Sequence, residues 1–396
     1  MRSRNSWDEL NMNDSNITTR RLGDILELQR GYDLPTNKRI DGEVPIISSS
    51  GYSGCHNEYK CDGENVVTGR CGTIGEVYYH SGKCWPLNTA LFVKDFKGNI
   101  PKYVYYLLKN TLSVYRVSGN DKSAVPGVDR KVIHEMLVPF HEDIRYQQNI
   151  CDVLTCIDDK IDTNSQICLS LEAMAKTLYD YWFVQFDFPD ENGKPYRASG
   201  GEMVWNEQLK QKVPKGWGVT TIGRIADNFD SQRVPLSQNQ RENIQGTIPY
   251  YGATGIMDYI NSYIFDGQYV LIAEDGSVMD DFGHPIVQMI WDKTWVNNHA
   301  HVLQGHDYYS NEILYFILKG IPVVKIMTGS IQKKINQDNL NNYLFPSIPQ
   351  KILDQFHLFV KDVFEQIHQL ELESKELTKL RDWLLPMLMN GQARVQ

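Results

Sequence analysis

Most of this chain is one pattern written twice. Thr221-Ile222-Gly223-Arg224-Ile225 repeats Arg21-Leu22-Gly23-Asp24-Ile25, and Thr247-Ile248-Pro249-Tyr250-Tyr251 repeats Val44-Pro45-Ile46-Ile47. With Pro45 set on Pro249, Gly51 falls on Gly255 and Gly72 on Gly276, an offset of 204 residues. Small insertions then carry Trp85-Pro86-Leu87-Asn88 onto Trp295-Val296-Asn297-Asn298 and Pro139 onto Pro346, and the order never changes. A duplicated chain folds one kind of unit twice, so any function assigned to it has to need two copies.

Each copy runs into a long periodic stretch. From Ile144 to Phe183, apolar residues fall at Ile150, Leu154, Ile157 and Ile161, then, past Asn164, at Cys168, Leu171, Ala175, Leu178 and Trp182. Steps of four and three make a heptad seam, which keeps one stripe of a helix against a partner helix. About 40 residues at ~1.5 Å each give a helix on the order of 60 Å. The second stretch, Gln350 to Asn390, carries Ile352, Phe356, Phe359, Val363, Ile367, Leu370, Leu377 and Leu384. This spacing predicts one register slip near Val363 to Ile367, which changes a supercoil locally without ending it. Leu178-Tyr179-Asp180-Tyr181-Trp182 is answered by Leu380-Arg381-Asp382-Trp383-Leu384. Length and duplication together favour a two-helix rod over an ordinary core helix.

Ahead of each helix, short apolar runs such as Val44-Pro45-Ile46-Ile47, Asn65-Val66-Val67 and Ala90-Leu91-Phe92-Val93 are bounded by Gly, Asn or Ser, the signature of strands joined by tight turns. The expected organisation is α+β: a tail at 1–20, a mixed domain at 21–143, a helix at 144–183, a connector at 184–218, a second mixed domain at 219–349, a helix at 350–390 and a tail at 391–396. The connector holds Pro189, Gly193, Pro195, Gly200, Gly201, Pro214 and Gly216, too much Pro and Gly for a core element. No run approaches the roughly 18 to 20 apolar residues of a membrane span. The start of the chain lacks the apolar centre of a secretory signal, so the expected location is the cytoplasm. Seven cysteines between Cys55 and Cys168 read as reduced thiols.

Two similar domains at a fixed separation suit a ligand with two sites at a set distance, and double-stranded DNA is the obvious one. The net charge of -9 requires any such site to be a local patch. In the first copy, candidate contacts are Arg30, Tyr32, Lys38, Arg39, Ser49, Ser50, Tyr52, Arg70, Lys122, Ser123, Arg130 and Lys131. In the second they are Arg233, Ser237, Tyr250, Thr254, Glu274, Lys325, Ser330, Lys333 and Lys334. These supply phosphate donors, hydroxyls and aromatic faces. Arg21 to Asp143 holds 15 Lys plus Arg against 15 Asp plus Glu, and Val219 to Pro349 holds 8 against 13, so the late lysines of the second copy stand out. Glu274-Asp275 in place of Arg70-Cys71 changes a loop's charge. Different half-sites would require such a change, since carboxylates accept from cytosine and Arg donates to guanine; a solvated turn is the alternative.

Recognisable catalytic motifs are missing. There is no Asn/Asp-Pro-Pro-aromatic adenine-methyltransferase motif and no Walker phosphate loop, and Gly69-x-x-Gly72-x-x-Gly75 is not the dinucleotide fingerprint; its glycines read as a tight turn, with close backbone approach to a phosphate as the alternative. Cys55, Cys61, Cys71 and Cys84 with His56 lack CxxC spacing, and the second copy has no cysteine, so no metal site is assigned. Two competing readings remain: a metal-dependent hydrolase built on His299, His301 and Glu312, beside His306 and Asp307, and a helical scaffold that binds no DNA.

The Gly23-Asp24-Ile25 opening, Pro45-Ile46-Ile47-Ser48-Ser49-Ser50-Gly51, Val67 to Gly75, Trp85-Pro86-Leu87-Asn88-Thr89, and Phe186-Asp187-Phe188-Pro189 with Asn192-Gly193-Lys194-Pro195-Tyr196 carry a resemblance. From about Arg20 onward the chain resembles the specificity subunits of type I restriction-modification systems. That resemblance implies two target-recognition domains, each reading one half of a split DNA sequence, and two helices packed as an antiparallel coiled coil that sets the gap. It implies two modification subunits docked alongside, with restriction subunits in the full complex. It places S-adenosylmethionine, ATP and Mg on those partners, and no cofactor or catalytic residue in this chain.

Overall fold

The structure, a computed structural model, describes residues 17–118, 128–329 and 333–395. The elements in the first half are β1 (Ile17–Arg21), α1 (Leu22–Ile25), β2 (Glu27–Arg30), β3 (Val44–Ser48), β4 (Gly51–His56), β5 (Glu64–Gly69), β6 (Val77–Ser81), β7 (Trp85–Pro86), β8 (Ala90–Asp95), α2 (Pro101–Ser118), α3 (Arg130–Glu135), β9 (Leu137–His141) and α4 (Ile144–Tyr179). A π-helical turn, Asp180–Val184, extends α4. There follow β10 (Met203–Asn206), β11 (Gln211–Pro214), β12 (Gly218–Thr221), β13 (Ala226–Asn228), α5 (Gln238–Asn243), β14 (Gln245–Tyr251), β15 (Ile256–Ile260), β16 (Phe265–Asp266) and β17 (Tyr269–Ala273). The chain closes with β18 (Val287–Ile290), β19 (Lys293–Val296), β20 (Ala300–Gly305), α6 (Asn311–Lys319), β21 (Met327–Thr328), β22 (Lys334–Ile335), α7 (Gln337–Asn341), β23 (Leu344–Ser347) and α8 (Gln350–Met389).

The chain divides into two compact units, Met1–Thr163 with Glu373–Gln396, and Asn164–Leu372. The division cuts both long helices, so the first unit is completed by the last segment of the chain.

In the first unit the main sheet runs β2-β8-β5-β6, beside a sheet β4-β3-β7 and the pair β1-β9. β5 is apolar on both faces: Val66 joins the core under α2 with Tyr103, Val104 and Leu107, while Val67 packs with Ile47, Cys84 and Phe92. Burial on both sides is why this strand reads as a continuous run instead of an alternation. Ile17 to Arg20, placed by sequence in the tail, form most of β1. Thr19 lies opposite Pro139 in an antiparallel pair, and the Thr18 hydroxyl and Arg20 guanidinium both donate to Glu142. Residues 1–16 of that expected tail lie outside the described residues. α3 is fixed against β2 by the Leu28 N–H, which donates to His134 Nε2 at 2.9 Å.

The second unit repeats this topology strand for strand. β13-β20-β17-β18 reproduces the main sheet, β15-β14-β19 the smaller one with β16 added, and β12-β23 the terminal pair. Even the parallel bridge recurs: Ile46 lies beside Trp85 in one unit and Tyr250 beside Trp295 in the other. The connector departs from the expectation of a segment outside the core. β10 and β11 form a hairpin, and Phe186, Phe188, Val213 and Trp217 are buried, with Phe188 stacked on Trp217 at 5.2 Å. Burying four large side chains outweighs the Pro and Gly content, at roughly 1.5–3 kcal/mol for an aliphatic or Phe side chain fully buried.

Within each unit the two long helices run antiparallel. In the first, Ile150, Cys151 and Leu154 share a core with Leu385, Leu388 and Met389, while Asp158 accepts from Arg381 at 3.0 Å and Lys160 meets Glu373 at 3.1 Å. In the second, Ala175, Tyr179 and Phe183 pack with Phe356, Val360 and Val363, and Cys168 Sγ lies 3.8 Å from the Ile367 carbonyl. Ile150 and Leu154 are fully buried, whereas Ile157, Ile161, Leu171 and Leu178 are half-buried. On α8 the buried positions include Leu353, Phe356, Val360, Val363, Phe364 and Ile367, then Leu385, Leu388 and Met389, with Ile352, Leu370 and Leu377 half-buried. Phe359, assigned to the seam by sequence, is 36% exposed. The phase set by Leu353 continues in threes and fours through Ser374 and Arg381 to Leu388, so no slip occurs at Val363 to Ile367. Polar residues at two seam positions hid that phase. Asn164 is buried on α4.

Candidate nucleic-acid interface

In the first unit, the loops leaving β2, β3 and β5 and the loop entering β8 converge at one end of the sheets. The turn from β3 to β4 is closed by Ser48, whose hydroxyl donates to the Gly51 carbonyl at 3.0 Å and accepts from the Ser50 N–H at 3.3 Å. Ser49 is buried and its N–H donates to Thr89 Oγ1 at 3.3 Å. The loop after β5 requires its glycines: a Cβ on Gly69 would lie 1.7 Å from the Thr73 carbonyl oxygen, and Gly72 has φ of +85°.

These loops bring several candidates together around Asn88. Its backbone N–H donates to the Tyr32 carbonyl at 3.0 Å, its side-chain amide donates to Asp33 Oδ1, and its carbonyl accepts from Arg70 Nε at 3.2 Å. Arg30 pairs with the same Asp33 oxygen at 3.1 Å, and the two side chains are 51% and 68% exposed. Tyr32 packs edge-on against Trp85. Thus Arg30, Tyr32, Ser49 and Arg70 belong to one connected group, together with Asp33, Asn88 and Thr89, which are not among the candidate contacts read from the sequence.

The other first-unit candidates make no side-chain hydrogen bond to this group among the described residues. Lys38 is exposed at the end of a short 3-10 turn, Arg39 is anchored to the Ser53 carbonyl at 2.8 Å, and Tyr52 is exposed with its hydroxyl 2.8 Å from Cys55 Sγ. Ser50 is exposed at the β3–β4 turn. Arg130 and Lys131 are exposed at the start of α3, where Asp129 caps the Lys131 N–H at 3.0 Å. The Val128 N–H donates to the Arg70 carbonyl at 2.8 Å, which ties this segment to the group around Asn88. Lys122 and Ser123 lie outside the described residues.

The second unit treats the same end of its sheets differently. Arg233 is drawn inward: its Nη1 donates to Glu274 at 2.7 Å and to the Ala300 carbonyl at 2.6 Å, and its Nη2 lies 3.4 Å from Asp230. Lys334 reaches Glu274 at 2.7 Å. His301 is buried between Asp230 Oδ2 at 2.5 Å and the Ile335 carbonyl at 2.9 Å. Burial pushes the Asp230 carboxyl up, but His301, the Val302 N–H and Arg233 more than reverse this, and its pKa is held below the ordinary value. Glu274 is likewise depressed, burial being outweighed by Lys334, Arg233 and His301. Lys334 is raised in turn by Glu274. Asp230, Glu274 and His301 present ligand atoms within 4.8 Å of one another. Two cations from the chain already occupy this cluster, so it is an ion-pair network in which Arg233 and Glu274 serve the fold.

Tyr250 is also internal, 1% exposed, with the Leu236 N–H donating to its hydroxyl at 3.0 Å. Ser237 caps α5 in a reciprocal arrangement with Gln240. Thr254 and Lys325 are exposed, and the Lys333 amine lies 3.8 Å from Met279 Sδ. Ser330 lies outside the described residues. The hydrolase grouping does not assemble: His299 pairs with Asp275 at 2.6 Å, His301 belongs to the ion network, and Glu312 sits at the start of α6, bonded to Gln268 at 2.9 Å and 3.7 Å from His357. His306 pairs with the adjacent Asp307. In the first unit Cys61 and Cys84 face each other across a β-bridge as free thiols, and Cys71 Sγ lies 3.8 Å from the Thr89 carbonyl. Among the described residues no helix is long and apolar enough to cross a membrane.

Comparison with known proteins gives one family. The type I restriction modification DNA specificity domain matches twice, over residues 14–173 and 214–375. The chain is 27% identical over 421 aligned positions to the type I restriction enzyme MjaIX specificity subunit of Methanocaldococcus jannaschii, covering 95% of this chain and 93% of that one. It is 31% identical over 153 residues, 38% of each chain, to a putative type I restriction enzyme specificity subunit of Haemophilus influenzae, S.HindORF215P. In fold it is similar to the crystal structure of the S subunit of a type I restriction-modification system from M. genitalium, with a TM-score of 0.56 at 16% identity and coverage of 96% and 97%. A duplicated mixed domain on long helices, matched twice by the same domain family, establishes that this chain belongs to the type I restriction-modification DNA specificity subunits.

Proposed function

We propose that this chain selects a bipartite double-stranded DNA target for a type I restriction-modification complex, each repeat reading one half. The observation that carries this reading is the strand-for-strand repetition of one topology with different side chains at the same loops. Identical scaffolds present different chemistry, as two unlike half-sites demand. α4 and α8 set the number of unread base pairs between the halves. Two modification subunits, which hold S-adenosylmethionine and transfer the methyl group to adenine, dock on the chain. Restriction subunits bring ATP, Mg and cleavage. The complex works in the cytoplasm, where its DNA is.

The test is to assemble the full chain with its modification subunits and map methylated adenines by sequencing. The expected product is one split motif. Deleting one heptad from each long helix, roughly 10 Å, changes the gap or abolishes methylation. An unchanged gap removes the spacer role, and binding to DNA that is insensitive to salt contradicts phosphate contact altogether.

A further inference from the structure

We propose that Arg30 and Arg70 are the specificity-determining pair of the first repeat, reading the acceptor edge of a guanine, and that Asp33 and Asn88 position them. This rests on the DNA-specificity reading above and goes further, because it assigns the recognition chemistry of one repeat and withdraws it from the same positions of the other.

Backbone register makes the two repeats comparable residue by residue. Leu28 lies opposite Val93 and Asn228 opposite Leu303, and Pro35 and Pro235 follow at the same offset of 200, so Arg30 corresponds to Asp230 and Asp33 to Arg233. Gly69 opposite Ala90 and Ala273 opposite Ala300 make Arg70 the counterpart of Glu274. All three charges are inverted between the repeats.

Inversion alone decides nothing, but burial does. In the second repeat the three side chains are only 10% to 11% exposed and satisfy one another, with His301 and Lys334 completing the set. That network directs its hydrogen bonds inward. In the first repeat the position of His301 is taken by Leu91, a fully buried hydrocarbon that offers nothing to a carboxylate. Arg30 and Asp33 therefore stay at the surface. Arg70 spends its backbone N–H on Thr89 and its Nε on Asn88, and its two terminal amino groups make no hydrogen bond among the described residues. A guanidinium held by its Nε presents a fixed fork, the shape that matches guanine O6 and N7. Asp33 accepts from both Arg30 and Asn88, so one carboxylate sets the first guanidinium and the residue that aims the second.

The experiment uses the full chain assembled with its modification subunits, carrying Arg30→Ala, Arg70→Ala, Arg70→Lys or Asp33→Asn. Each complex is assayed for methylation of duplexes in which every base pair of both half-sites is changed singly, at one salt concentration. The wild-type complex should favour a G·C pair in the first half-site by about ten-fold or more. Arg70→Ala should remove that preference at one position and leave the second half-site intact. Arg70→Lys, which keeps the charge but loses the fork, should relax the same position, so that a folding defect in the alanine variant is separated from lost recognition. Arg30→Ala should relax a G·C position of the first half-site, and Asp33→Asn should weaken the preference at the arginine-read positions without abolishing binding. A uniform loss of affinity across all sequences makes Arg70 a phosphate contact and overturns the proposal. So does an unchanged preference in both arginine variants, or a first half-site without a G·C pair. A wild-type complex that methylates no bipartite sequence overturns the proposed reading of a split target, on which this inference rests.

Discussion

The first repeat leaves Arg30 and Asp33 in water, and the second buries Asp230 and Arg233 at the same places on the same fold. The difference teaches that duplication preserved strand order and register while the side chains at the sheet ends diverged, exposed to solvent in one repeat and tied into a buried ion network in the other. An ion pair in solvent contributes little to stability, whereas a buried one becomes costly when half of it is removed. Perturbing both repeats in parallel should therefore give unequal results.

The largest inequality comes from shortening the chain. Ending it after Leu372 removes Leu385, Leu388, Met389 and Arg381 from the core of the first unit and leaves the second unit its own residues. Hydrogen exchange should show the first repeat unprotected and the second protected; equal protection would contradict the division. Next, Arg233→Ala takes the shared guanidinium from two buried carboxylates, leaving them only Lys334 and His301, and should cost the second repeat about 3 kcal/mol in chemical denaturation. On the helices, Leu154→Ala should cost about 2–5 kcal/mol, while Phe359→Ala should fall within about 0.5 kcal/mol of wild type. A reversal would restore the phase that places Phe359 in the seam.

Acid should discriminate more gently. Asp230 and Glu274 have depressed pKa values, so the stability they contribute is present above the ordinary carboxyl range near ~4 and is lost as the pH falls through their folded values. Hydrogen exchange in β17 and β20 should rise below about pH 4, and Asp230→Asn should blunt that dependence. The smallest effect belongs to Arg30→Ala, which should change stability by about 0–1 kcal/mol. A large loss there would show that the first trio also serves the fold.

The duplicated scaffold was legible because its markers are backbone-bound: Trp85 and Trp295 sit in equivalent parallel bridges, and Pro139 and Pro346 in equivalent terminal pairs. Charge placement was less legible. Nothing local to Arg233 shows that Glu274, 41 residues away, takes its guanidinium. The signal was available only by aligning Arg30 and Asp33 against Asp230 and Arg233 and noticing the exchange. The seam of α8 was misphased because Ser374 and Arg381 occupy stripe positions. In the connector, Pro and Gly content points away from a core element, but burial of Phe186, Phe188 and Trp217 offsets the cost of ordering the segment.

One measurement tests the central claim most directly: replace residues 21–143 with the same region of another specificity subunit of known target, assemble the complex, and sequence the methylated adenines. The account predicts that one half of the motif changes to the donor's while the other half and the gap stay fixed. A change in both halves, or in neither, would contradict the assignment of one reader to each repeat.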